Sequence, residues 1–114
     1  IHNLHLWNLH DLHDGQVFTV GDVELTVLHT PGHAPGACCL HAPALGALFS
    51  GDTLFNGGPG ATGRSFSDFG AIIESIRTRL LPLPEETVVL TGHGDATSIG
   101  AEAPHLREWI ARGH

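Results

Sequence analysis

Three positions carry side chains that can hold a metal ion, and each follows a short apolar run. His33 comes after the run ending at His29, Asp52 after Leu48-Phe49-Ser50-Gly51, and His93 after Val88-Val89-Leu90. Loops at strand ends are where a rigid sheet can hold a site and still leave it open. Glycine stands beside each residue (Gly32, Gly51, Gly92 and Gly94), so the backbone can turn sharply and approach an ion closely. Two imidazoles and one carboxylate suit zinc, with iron or manganese as further options. A lone histidine after a strand is usually structural, and an aspartate after glycine is usually a turn residue. The order of all three is what points to metal chemistry.

The elements that must present these residues follow from local pattern. Gln16 to Val20 and Val23 to His29 are β-type runs joined by Gly21-Asp22, a tight-hairpin signal. In the second run Val23, Leu25 and Val27 alternate with polar residues, as in a strand with one wet face. Thr30 to Gly36 contains two prolines and two glycines, which excludes helix and regular strand and makes a rigid loop around His33. Ala37 to His41 and Ala47 to Ser50 read as two more strands, with a turn near Pro43 and Gly46. Residues 51–67 read as a Gly-rich irregular loop, long enough to imply function.

Ser67 or Asp68 can cap a helix running to about Leu81, with Phe69, Ile72, Ile73, Ile76 and Leu80 on one stripe and Pro82 and Pro84 ending it. Thr87 to Leu90 is a short strand. A last helix from about Gly100 to Ala111 is expected to bury Leu106, Trp109 and Ile110, with Pro104 in its first turn. Strands, helix, strand, helix in that order predict an α/β arrangement, a mostly antiparallel sheet covered by helices on one face.

Bulk properties exclude several function classes. The chain has 114 residues, 41% of them hydrophobic, enough for one small domain with a core. A net charge of −7 argues against nucleic acid, whose phosphates need a basic face. No stretch is long and apolar enough to span a membrane, and no signal peptide is evident. Cys38 and Cys39 are adjacent, so their side chains point to opposite faces of a strand and a disulfide between them is not expected. They read as buried thiols, in keeping with a cytoplasmic protein. Of the ten histidines, His29, His41, His105 and His114 carry no spacing argument.

Thr30-Pro31-Gly32-His33-Ala34-Pro35-Gly36, Leu48-Phe49-Ser50-Gly51-Asp52-Thr53-Leu54-Phe55 and Thr91-Gly92-His93-Gly94-Asp95 together resemble the third, fourth and fifth motifs of the metallo-β-lactamase superfamily. The resemblance is closest to its glyoxalase II-like hydrolases and covers about Asp14 to Ile110. It implies that His33 holds a first metal, His93 a second, and that Asp52 bridges both and orients the attacking hydroxide, its catalytic role. The family's His-x-His-x-Asp-His cluster is absent. His10-Asp11-Leu12-His13-Asp14 has the wrong spacing and reads as a surface connection. The chain therefore reads, from 1 to 114, as the C-terminal half of the family's αβ/βα sandwich, truncated before it.

The resemblance also implies a substrate. Gly63-Arg64 is similar to a Gly-Arg pair in glyoxalase II and persulfide dioxygenases, where Arg64 would grip a carboxylate on a thiol carrier; its alternative is a loop arginine paired with Asp68. Gly57 to Phe69 and Ile99 to Leu106 resemble actinobacterial proteins linked to mycothiol-dependent aldehyde detoxification. The leading expectation is a zinc-dependent hydrolase, with one or two ions, acting on a small-molecule thioester of a low-molecular-weight thiol. The alternatives are a persulfide dioxygenase with a single iron, and an inactive half-domain. The half-domain would leave one apolar sheet face exposed, and so self-associate or pair with a missing N-terminal half.

Overall fold

The computed structural model describes residues 13–62 and 67–113. One six-stranded sheet dominates it. Strands β1 (Val17–Val20), β2 (Val23–His29), β3 (Cys38–Ala42), β4 (Ala47–Gly51), β7 (Val88–Thr91) and β8 (Thr97–Ser98) lie side by side in that order. A separate two-stranded hairpin, β5 (Leu54–Phe55) with β6 (Gly58–Pro59), follows β4. All neighbours are antiparallel except β4 and β7. Thus β2, β4 and β7 run in the same direction. Their C-terminal ends, which lead to His33, Asp52 and His93, share one edge of the sheet.

The expected hairpin forms, with Gly21 alone at positive φ in the turn, so Asp22 needs no strained conformation. A 3₁₀ turn, Pro43–Leu45, closed by left-handed Gly46, links β3 to β4. The stretch 51–67 is less irregular than its composition implies, because β5 and β6 pair within it. The strand β8 has no sequence signal at two residues long.

The helix after this stretch, α1 (Phe69–Ser75), widens into a π-turn over Ile76–Leu80, where the Leu81 N–H donates to the Ile76 carbonyl at 2.9 Å. Asp68, not Ser67, caps it: the carboxylate accepts from the Ala71 N–H at 3.0 Å. The C-terminal helix is interrupted. Its first turn, α2 (Ile99–Glu102), passes through a 3₁₀ turn at Ala103–His105 into α3 (Leu106–Arg112). Pro104 falls in the 3₁₀ turn and not at the helix start, since it cannot donate to the i−4 carbonyl and tightens the chain locally. Trp109 is buried as expected, Leu106 is half-buried, and Ile110 is 51% exposed, because the 3₁₀ turn rotates the helix and sets Trp109 inward instead.

The strand register fixes two faces. Leu28, Cys39, Leu48 and Val89 share one face and build the core with Ile72, Ile73, Ile76, Leu80, Ile99 and Trp109 from the helices. The other face carries Leu25, Val27, Leu40, Phe49, Val88 and Leu90. Leu25 and Val27 are buried, whereas Val88 and Leu90 stand 44% and 39% exposed. A sheet apolar on both faces is the pattern of a layer built to be covered twice. Of the cysteines only Cys39 is fully buried; Cys38 is half-buried on the opposite face, and both are free thiols. Among the described residues no helix is long and apolar enough to cross a membrane.

Candidate metal centre

The three loops converge. The His33 Nε2 atom lies 3.6 Å from Asp52 Oδ2, and His93 Nε2 lies 3.7 Å from Asp52 Oδ1. One carboxylate therefore stands between two imidazoles, with a separate oxygen turned to each. Among the described residues no three His, Cys, Asp or Glu side chains gather around a single point. The arrangement is two facing pairs that share Asp52.

The surrounding chain explains why each side chain points there. His33 Nδ1 is 2.8 Å from the Ala61 carbonyl, which accepts only from an N–H, so Nδ1 carries a proton and Nε2 is the nitrogen turned toward Asp52. The His33 loop is braced by the His29 ring, which donates from Nε2 to the Pro35 carbonyl at 2.9 Å. Ser75 donates to the Pro31 carbonyl at 2.8 Å, and the Asp68 N–H to the Gly32 carbonyl at 2.7 Å. Gly32 has φ 144° and a Cβ there would sit 2.2 Å from Ile72 Cβ, so only glycine lets the loop lie on α1.

His93 is held differently. Its ring stacks on Phe55, with centroids 5.1 Å apart and planes 19° from parallel, and its backbone carbonyl accepts from Thr91 Oγ1 at 2.8 Å. The ring is otherwise open, at 82% side-chain exposure against 28% for His33. Asp52 sits in a tight backbone cradle. A Cβ on Gly60 would fall 1.7 Å from the Asp52 carbonyl oxygen, and one on Gly92 would fall 2.9 Å from Asp52 Oδ1.

Beneath the site a buried polar cluster ties two loops together. Thr30 Oγ1 lies 3.0 Å from Thr53 Oγ1 and 3.4 Å from the Cys39 thiol, so the residues leading to His33 and following Asp52 are directly bonded. Burial pushes the Cys39 thiol up to about 11, against the smaller opposing effect of its Thr30 and Thr53 hydrogen bonds. Among the residues flanking the loops, Asp14 accepts from the His29 N–H at 2.9 Å and pairs with Arg79, and its carboxyl is held below the ordinary carboxylate range, chiefly by that backbone bond.

The family model of the metallo-β-lactamase superfamily matches residues 6–93. The chain belongs to the metallo-β-lactamase superfamily. A hydroxyacylglutathione hydrolase, GloC, of Haemophilus influenzae is 38% identical over 89 residues, covering 78% of this chain and 42% of that protein. Among solved structures, the BLEG-1 B3 metallo-β-lactamase is 40% identical with a TM-score of 0.77 over 82% of this chain and 45% of its own. TTHA1623, seen in a di-iron-bound form, is 41% identical with a TM-score of 0.73 over 81% of this chain and 44% of its own. The chain spans about half the length or less of the curated relatives it matches, 53%, 44% and 42% for three of them.

Sequence reasoning named the three converging side chains but missed their supports. The Ala61 carbonyl has no residue-type signature, and Ser75 and His29 act through backbone groups of another loop. Phe55 lay within a recognised motif, yet nothing in the sequence placed its ring on His93. Arg64 and the His10-Asp11-Leu12 portion of the surface connection lie outside the described residues.

Proposed function

We propose that this chain supplies the bridging half of a metal-dependent hydrolase that acts on thioesters of a low-molecular-weight thiol. The observation that carries the reading is the single Asp52 carboxylate with one oxygen turned to each imidazole. That geometry suits a pair of divalent ions, each facing one imidazole and one carboxylate oxygen, better than a single ion ringed by all three residues. His33 would hold one ion, His93 the other, and Asp52 both. When bound, such ions draw a nucleophile from water near neutral pH and polarise a carbonyl. The chain's own residues orient: Ala61 fixes the His33 tautomer, Phe55 steadies His93, and the glycine cradle fixes Asp52. The relative named a hydroxyacylglutathione hydrolase supports a thioester substrate, and the di-iron relative supports iron beside zinc as the metal.

These three residues would give each ion one imidazole and one carboxylate oxygen, whereas a catalytic zinc usually keeps three protein ligands. The donors fit part of each coordination sphere. Calorimetric titration of the chain with zinc is therefore expected to show weak binding that Asp52→Asn reduces at least tenfold. Two tight sites on the chain alone, or binding indifferent to Asp52→Asn, would count against the bridging role. Thiol release from S-lactoylglutathione without oxygen uptake, by a longer form carrying the remaining ligands, is the expected activity; oxygen consumption would favour the dioxygenase. A second reading, a half-domain that pairs with another layer, is favoured by the outward apolar face of the sheet around Val88 and Leu90.

A further inference from the structure

His93 is the most exposed of the three converging residues, at 82% of its side chain against 28% for His33 and 49% for Asp52. Glycine flanks it on both sides, and Gly94 has φ 89°. An exposed ring on such a loop does not keep one orientation by itself. The stack on Phe55 sets it beside Asp52. Phe55 in turn stands on a hairpin of two residue pairs, Leu54 with Pro59 and Phe55 with Gly58. A two-stranded ribbon of that size is marginal in water, so its place depends on what holds it from outside.

The C-terminal helix supplies that hold. Glu102, the last residue of α2, is only 4% exposed, and its carboxylate is shared between two segments. It accepts from the Gly57 N–H in the hairpin, at 3.2 Å to one oxygen and 3.3 Å to the other, and from Thr97 Oγ1 at 2.6 Å. Gly57 comes two residues after Phe55, and Thr97 four residues after His93. One carboxylate therefore grips both the segment that carries the phenyl ring and the segment that follows the imidazole. Asn56 Nδ2 adds a parallel tie to the Ala96 carbonyl at 3.2 Å. The hairpin also rests on buried Trp109, since a Cβ on Gly58 would lie 3.4 Å from Trp109 Nε1. Burying a carboxylate is costly, and a leucine would fill the same space without that cost. The carboxylate adds two acceptor oxygens, which serve a backbone N–H and a hydroxyl at once.

We infer that Glu102 is a positioning residue for His93: it clamps the β5–β6 hairpin to the start of β8, so that Phe55 holds the His93 ring beside Asp52. It acts through Phe55 and through the chain between His93 and Thr97. That a steadier His93 serves a metal rests on the bridging reading; the placement of the ring does not. A residue that merely fastened the C-terminal helix would lower stability when removed and leave the two rings stacked.

NMR of the metal-free chain with ¹³C-labelled aromatic side chains reads the stack directly. In the native chain the Phe55 and His93 rings are expected to show mutual NOEs, with the His93 ring protons shifted upfield by the Phe55 ring current. Glu102→Ala should cut those NOEs about threefold and return the His93 shifts toward those of an unstructured histidine, while the His33 ring, held by Ala61, keeps its shifts. Thr97→Val keeps the shape and the Gly57 bond but cuts the tie to the His93 loop, and should cut the NOEs about twofold. Glu102→Gln keeps an acceptor for the Gly57 N–H and offers a donor to the Thr97 hydroxyl, so it should restore near-native NOEs at a lower melting temperature. Native NOEs and His93 shifts in folded Glu102→Ala would overturn the proposal. If Glu102→Ala does not fold, native values in Thr97→Val would do so. A native chain without these NOEs, or a Glu102→Gln chain that behaves like Glu102→Ala, would also overturn it. Zinc binding indifferent to Asp52→Asn would remove the bridging reading and leave this measurement standing.

Discussion

At the scale of single residues, the centre depends more on what is missing than on what is present. Gly60 and Gly92 leave room for Asp52, and a methyl group at either would strike its backbone or carboxylate. Gly60→Ala, with the tighter contact, is expected to cost about 2–3 kcal/mol, because the clash is with backbone that cannot swing aside. Urea unfolding would check this, and an unchanged midpoint would show the loop to be more yielding than the packing implies. His33, Asp52 and His93 were legible in the sequence because their types, their glycine neighbours and the spacing of the runs before them are all written in side chains. Ala61 was not legible, since its contribution is a carbonyl that every residue owns. Glu102 escaped notice for another reason: a lone glutamate in a helix normally faces water, and only the hairpin brought over it explains its burial.

Among elements, α1 decides where the His33 loop sits, through the Ser75 and Asp68 bonds and the Gly32–Ile72 contact. Asp68 both caps this helix and anchors Gly32 through its N–H. Asp68→Ala removes the cap and leaves the anchor, so stability should fall by about 1 kcal/mol while the loop stays in place. Chemical denaturation measures the first part, and an unchanged His33 ring resonance checks the second. The longer elements were predictable: β2 alternates from Val23 to Val27, β4 is a short apolar run, and α1 opens a stripe of period 3.6. The hairpin β5–β6 and the strand β8 were not, because two-residue strands are made by pairing across the chain and have no period of their own. The C-terminal helix failed in phase and not in existence. Pro104 inserted a 3₁₀ turn, and a helical wheel drawn straight through it placed Ile110 inside.

For the whole molecule, alkaline pH offers an unusually clean window. The sequence has no tyrosine and no lysine, so the two cysteines are the only side chains that ionise between pH 9 and 11. Unfolded, Cys39 ionises near 9.0; folded, it stays protonated to about 11. Its contribution is fully present below pH 9 and is lost as pH rises toward 11, because only the unfolded chain releases the proton. The loss should reach about 2–3 kcal/mol at 1.36 kcal/mol per unit. Half-buried Cys38, also shifted upward by burial, adds in the same direction. Urea midpoints measured across this range should fall in the native chain and fall less in Cys39→Ala, where only the Cys38 contribution remains.

The parallel pairing of β4 with β7 has a broader consequence. Strands that run side by side in the same direction cannot be joined by a tight turn, so a long crossover must intervene. Here that obligatory detour, residues 52–87, houses the hairpin and α1. Two of the three converging side chains, by contrast, are delivered by β2 and β7, outside it. The strands that deliver His33 and His93 and the segment that supports them are thus different stretches of one polypeptide. Sequence drift in the detour would therefore move both imidazoles even with the ladder intact, because Ala61 holds His33, Phe55 stacks on His93 and α1 seats the His33 loop.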